Sequence, residues 1–203
     1  MYGKTVGILG DSIMESYGIP TVMAQIGKFN IVNFSKGGTS IGKRRDDGTY
    51  DNRCASVRTS SNYTGDEPID VENCDYILLA MGTNDRYPDG LGDVNNGADM
   101  ENEYTMVGAT NITIKNLLTR NPLCKILVSL PMYRTTGEEP EMNQSIKAVA
   151  EKYHLPILDM YNVGGINELN VGTYLNPDKL HPTQPAGRNL IAQKMAMFIV
   201  NNY

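Results

Sequence analysis

The sequence predicts an α/β fold, a parallel sheet of about five strands with helices on both faces. Three observations predict it: short β-branched apolar runs recur along the chain, helical periodicities lie between them, and chemically loaded residues follow the runs directly. Strands that alternate with helices imply right-handed βαβ units, and open sheets of that kind hold ligands at the carboxyl ends of their strands.

The first run, residues 5–9 (TVGIL), is of strand length and leads straight into Gly10-Asp11-Ser12. Residues 13–26 carry a weaker helical pattern, interrupted by Gly18 and Pro20. A second run, 30–34, ends in Asn33-Phe34-Ser35-Lys36-Gly37-Gly38. Residues 36–75 are then polar and nearly without periodicity, and long loops of this kind are usually functional or disordered. The third run, 76–81, ends in Gly82-Thr83-Asn84-Asp85. Residues 104–120 read as a helix with Val107, Ile114, Leu117 and Leu118 on one side, stopping before Asn121-Pro122 because proline disfavours helix at the residue before it. After the fourth run, 126–130, Met142, Ile146, Val149, Ala150 and Tyr153 fall at i, i+4, i+7, i+8 and i+11. The fifth run is 156–159, and Leu190, Ile191, Met195, Phe198 and Ile199 form a last stripe.

Composition bounds the class. The 203 residues are 40% hydrophobic and 20% charged, ordinary for one domain, and no repeat or linker divides residues 1–203. A domain near this size buries roughly 70% of the surface its unfolded chain exposes, so it needs no disulfide or structural metal. With 18 Lys+Arg against 23 Asp+Glu there is no basic excess to neutralise nucleic acid or an anionic bilayer. Cys54, Cys74 and Cys124 cannot all pair within the chain, and no CxxC spacing suggests zinc. They read as buried thiols, or as one bridge and a spare. No apolar run approaches the ~20 residues that span a membrane, and the start (MYGKTVGILGDS) lacks a signal-peptide pattern. The expectation is a cytoplasmic protein, or a domain of a larger secreted or virion protein.

Acyl transfer needs a nucleophile, a base, a group that orients the base, and donors for the developing oxyanion. Ser12 stands where a strand turns into a helix, near a positive helix N-terminus, although a serine there is more often a helix cap. His181 lies in a polar, proline-flanked loop, and Asp178, three residues earlier, can turn its carboxylate onto the imidazole Nδ1–H. Asn84 and Gly38 follow strand ends and can supply oxyanion donors, or be ordinary turn residues.

Gly10-Asp11-Ser12, Gly38 five residues after Asn33, Gly82-Thr83-Asn84-Asp85 and Asp178-x-x-His181 resemble blocks I, II, III and V of the SGNH, or GDSL-like, hydrolases, in order from residue 8 to 182. The resemblance implies a flavodoxin-like three-layer α/β/α fold. It implies Ser12 as nucleophile, His181 as base and Asp178 as its orienter, with the Ser12 and Gly38 N–H groups and the Asn84 side chain as the oxyanion hole. It implies no metal and no cofactor, and makes Asp11 and Asp85 loop supports. Block I departs from the GDSL signature, since Ile13 replaces leucine after the serine.

Other motifs carry less. Gly38-Thr39-Ser40-Ile41-Gly42 matches a nucleophile elbow, but no amphipathic helix follows it, and Arg44 stands where a P-loop needs a hydroxyl. His154 reads as a helix-end residue. The sequons at Asn33, Asn62, Asn111 and Asn143 matter only in a eukaryotic secretory route. The polar segment with Arg44, Arg45, Tyr50, Arg53, Arg58 and Tyr63 suits the wall of a hydrophilic cleft, so the expected substrate is a small-molecule or polysaccharide ester, foremost an O-acetylated carbohydrate. The alternatives are a lipase- or thioesterase-type acyl hydrolase and a catalytically silent carbohydrate-binding or phage-tail module.

Overall fold

The computed structural model describes residues 1–43, 53–65, 69–87, 89–135 and 139–203. In chain order its elements are β1 (Thr5–Gly10), α1 (Ser12–Ser16), α2 (Ile19–Gly27), β2 (Asn30–Asn33), α3 (Ala55–Arg58), β3 (Tyr76–Ala80), α4 (Gly97–Met100), α5 (Met106–Arg120), β4 (Lys125–Leu130), α6 (Glu139–Lys152), β5 (Ile157–Asp159), α7 (Met160–Val163), α8 (Val171–Tyr174) and α9 (Ala186–Asn201). The five strands form one parallel sheet in the order β2-β1-β3-β4-β5. The expected α/β/α sheet fold is therefore present, with each strand on its apolar run.

Successive strand side chains point to opposite faces, so one run of residues feeds two cores. Leu9, Ile77, Leu79, Ile126 and Val128 pack against Ile114 and Leu117 of α5 and Ile146 and Val149 of α6. Val6, Ile8, Leu78 and Leu127 face the other way, onto Met23 of α2 and Ile191, Met195 and Ile199 of α9. Burial on both faces explains why the central strands read as continuous apolar runs rather than as alternating ones. Ile77 and Leu78 are both 0% exposed, and burying each such side chain contributes about 1.5–3 kcal/mol.

The weak helical pattern over 13–26 has a physical cause. Gly18 sits at φ +69, a left-handed conformation that glycine adopts at little cost, and it divides the segment into α1 and α2. Pro20 falls in the first turn of α2, where a missing N–H costs no helical bond. The first cap also differs from the simplest reading of the sequence. Asp11, not Ser12, caps α1, its Oδ1 accepting the Ile13 N–H at 3.0 Å.

The described parts of the aperiodic connection over 36–75 bury Ile41, Ala55, Ile69 and Val71 in the core and are held as well by side chains that grip main chain. Arg58 Nη2 donates to the Phe34 carbonyl at 2.8 Å, Asn116 Nδ2 to that of Ser56 at 2.9 Å, and Arg120 Nη2 to that of Ile69 at 2.5 Å. All three cysteines are buried and none is disulfide-bonded, which settles the disulfide question. Among the described residues no helix is long and apolar enough to cross a membrane.

Candidate active site

The carboxyl ends of β1, β2 and β3 carry the loaded segments to one edge of the sheet, and the loop before α9 reaches the same edge. Ser12 Oγ lies 3.0 Å from His181 Nε2, across 169 residues of sequence. His181 Nδ1 lies 2.8 Å from Asp178 Oδ2. Asp178 Oδ1 accepts the backbone N–H groups of Leu180 at 2.9 Å and His181 at 3.0 Å. Lys179, at φ +58, makes the tight turn that brings these N–H groups back onto the carboxylate. The backbone N–H of His181, followed by its side chain, holds the Asp178 carboxyl well below its ordinary value, at about 2. An ionised carboxylate only accepts, so the imidazole proton sits on Nδ1 and leaves Nε2 free to receive the Ser12 hydroxyl.

Ser12 is the first residue of α1, and N–H groups of a first helical turn have no acceptor within the helix. The turn at Gly37-Gly38 lies against it. A Cβ on Gly37 would stand 3.6 Å from Ser12 Cβ, and the Gly37 N–H donates to Glu15 Oε2 at 2.7 Å. Gly38 follows at φ +76, which few other residues adopt without strain. Asn84 Nδ2 donates to the Thr39 carbonyl at 3.0 Å, tying the loop after β3 to the one after β2. Asp85 reinforces the tie, its carboxylate accepting Ile41 N–H at 2.9 Å and Gly42 N–H at 3.1 Å. Burial pushes the Asp11 carboxyl up, opposed by the Ile13 N–H. Asp11 and Asp85 thus bind main chain, as loop supports do.

The expected wall residues fare differently. Arg44, Arg45 and Tyr50 lie outside the described residues. Arg53 is exposed, immediately before Cys54, which caps α3. Arg58 is 3% exposed and bound to Phe34, so it belongs to the interior, not to a cleft wall. Tyr63 lines a separate hollow with Ser60, Ile69, Glu72 and Arg120. Ser40 is 1% exposed and donates to the Gly42 carbonyl at 2.6 Å, a bond that holds it in its own loop. Asn111 and Asn143 are buried, each donating to a main-chain carbonyl.

Three contributors escape sequence reasoning. Tyr17 stacks on His181, with ring centroids 5.3 Å apart and planes at 21°. Glu15 fixes the Gly37 turn. Arg134, paired with the fully buried Glu139 at 2.8 Å, donates to the Thr83 carbonyl at 3.2 Å behind Asn84. The one available signal was the position of Glu15 and Tyr17 within a turn or two of Ser12, which says nothing about where their side chains reach.

The model of a family described as GDSL-like lipase/acylhydrolase matches residues 8–187. Among curated proteins none matches. Among solved structures, the chain is similar to a protein from Lactobacillus plantarum, with TM-score 0.78 and 22% identity over 100% of this chain and 99% of that one. It is also similar to a mutant acetyl esterase with acetate ion, with TM-score 0.60 and 17% identity over 98% and 97%. A carbohydrate esterase family 3 structure from Talaromyces cellulolyticus gives TM-score 0.63 and 18% identity over 98% and 97%. At these identities the likeness to solved structures is one of fold.

Proposed function

Because the chain belongs to the GDSL-like lipase/acylhydrolase family, and is on that ground an acyl hydrolase, we propose that it is a serine esterase that removes O-acetyl groups from carbohydrate. The observation that carries this reading is the unbroken line from Ser12 Oγ to His181 Nε2 and from His181 Nδ1 to Asp178 Oδ2, at 3.0 and 2.8 Å.

Ser12 Oγ attacks the ester carbonyl carbon as its proton passes to His181 Nε2. Asp178 holds the ring and stabilises the imidazolium that forms. The negative oxygen of the tetrahedral intermediate is met by the N–H groups of Ser12 and Gly38 and by the Asn84 side chain, each such donor being worth ~10² to 10³ in kcat. Collapse breaks the bond to the alcohol, which leaves with the proton from His181. Water then attacks the acyl-Ser12 ester, giving its proton to His181, and expulsion of Ser12 Oγ with that proton frees the acid.

One feature of the sequence supports a polar alcohol. The polar segment carrying Arg44, Arg45, Tyr50 and Arg53 supplies donors for sugar hydroxyls in this reading. The acetyl esterase and carbohydrate esterase among the fold relatives lean the same way.

A panel of esters from acetyl to long-chain, run beside Ser12→Ala, tests the assignment. Acetate released from acetylated sugars by the intact protein only is the expected result. Turnover confined to long acyl esters or thioesters would overturn the substrate class. Well-folded protein that neither turns over nor reacts with a fluorophosphonate would point to a silent binding module.

A further inference from the structure

We propose that Tyr17 is a positioning residue for the proposed base, its ring forming the platform on which the His181 imidazole lies; this rests on the reading of Ser12 and His181 as the acyl-transfer couple. Asp178 alone defines the imidazole poorly. The hydrogen bond at Nδ1 fixes the direction of that nitrogen, but the Nε2 contact to Ser12 is given up as the serine attacks, which leaves the ring free to tilt about the Nδ1 bond. The Asp178 side chain is also 47% exposed, where water competes for its oxygens. The near-parallel stack at 5.3 Å and 21° supplies the missing restraint, because a flat face against a flat face resists tilt.

The platform is itself well seated. Tyr17 closes α1 as its C-terminal cap, Gly18 turns the chain sharply behind it, and the ring packs against the core formed by α2 and α9. The charge that develops during acylation gives the stack a second use. As Ser12 releases its proton, His181 becomes a cation within 6 Å of an aromatic face, and the ring quadrupole attracts that cation. The contact therefore strengthens on the way to the transition state, so it acts on kcat more than on KM.

The test compares wild type with Tyr17→Phe, Tyr17→Leu and Ser12→Ala, reading kcat and KM on p-nitrophenyl acetate, the rate of fluorophosphonate labelling, and the melting temperature of each variant. Phenylalanine keeps the face and should stay within about 2-fold of wild type. Leucine keeps much of the bulk but loses the face, and should lower kcat and the labelling rate together by about 3- to 30-fold, with KM nearly unchanged. Tyr17→Met replaces the leucine variant if the latter does not fold. A folded leucine or methionine variant that labels at the wild-type rate, or a phenylalanine variant as slow as leucine, overturns the role of Tyr17 while leaving Ser12 and His181 in place. Wild type that labels no faster than Ser12→Ala overturns both readings.

Discussion

Asp178 spends both of its carboxylate oxygens on His181: Oδ2 meets the ring Nδ1 at 2.8 Å and Oδ1 accepts the backbone N–H at 3.0 Å. One short turn thus sets the loop conformation and the ring tautomer together. Asp178→Asn keeps an oxygen for one of these partners but must set its NH₂ against the other. Loss of the correct tautomer has cost ~10⁴ in kcat in a buried triad. The carboxylate here is half exposed, so a smaller loss of about 10- to 10³-fold is expected, measured as kcat on an acetyl ester.

Ser12→Ala removes the nucleophile and His181→Ala the base, two members of one unit. Each should lower kcat by about 10⁴- to 10⁶-fold, and the double variant should be scarcely worse than either single one. Additive losses in steady-state kinetics would contradict a shared proton transfer.

The acid limb of kcat/KM should show one proton, because His181 must be neutral to accept from Ser12. Asp178, held at about 2 against an ordinary 3.8, stays ionised over the working range and adds no second inflection between pH 4 and 8. The sign for stability follows from the depressed value: its contribution is present above pH 3.8 and fades as pH falls toward 2. Rate profiles with slope 1, together with acid unfolding curves of wild type and Asp178→Asn, check both statements.

Asp85 is 7% exposed and ties the loop after β3 to Ile41 and Gly42. Asp85→Ala leaves these buried N–H groups without their charged acceptor, at a cost of about 2–4 kcal/mol. Urea unfolding should show that loss, and kcat should fall as well, because Asn84 is the preceding residue.

Burial raises the thiols of all three cysteines above their ordinary range, Cys74 and Cys124 to about 11. A thiol is reactive only as thiolate. Ellman's reagent should leave the native protein essentially unmodified, without loss of activity, and titrate three thiols in denaturant.

The sequence by itself determined the layers and the places where chemistry could gather. Apolar runs such as Thr5–Gly10 and Tyr76–Ala80 mark strands, the stripe through Met142, Ile146 and Val149 marks a helix face, and Ser12, Gly38, Asn84 and His181 each stand just past a strand or just before a helix. These signals are local, written in periods of 2 and 3.6 residues that record which side of an element is buried. Only the tertiary structure decided what each side chain touches. It turned Arg58 inward to Phe34, gave the cap of α1 to Asp11, and laid Tyr17 on a histidine 164 residues away. The reason is that such contacts depend on side-chain rotamers across elements brought together by packing, and no local period encodes them.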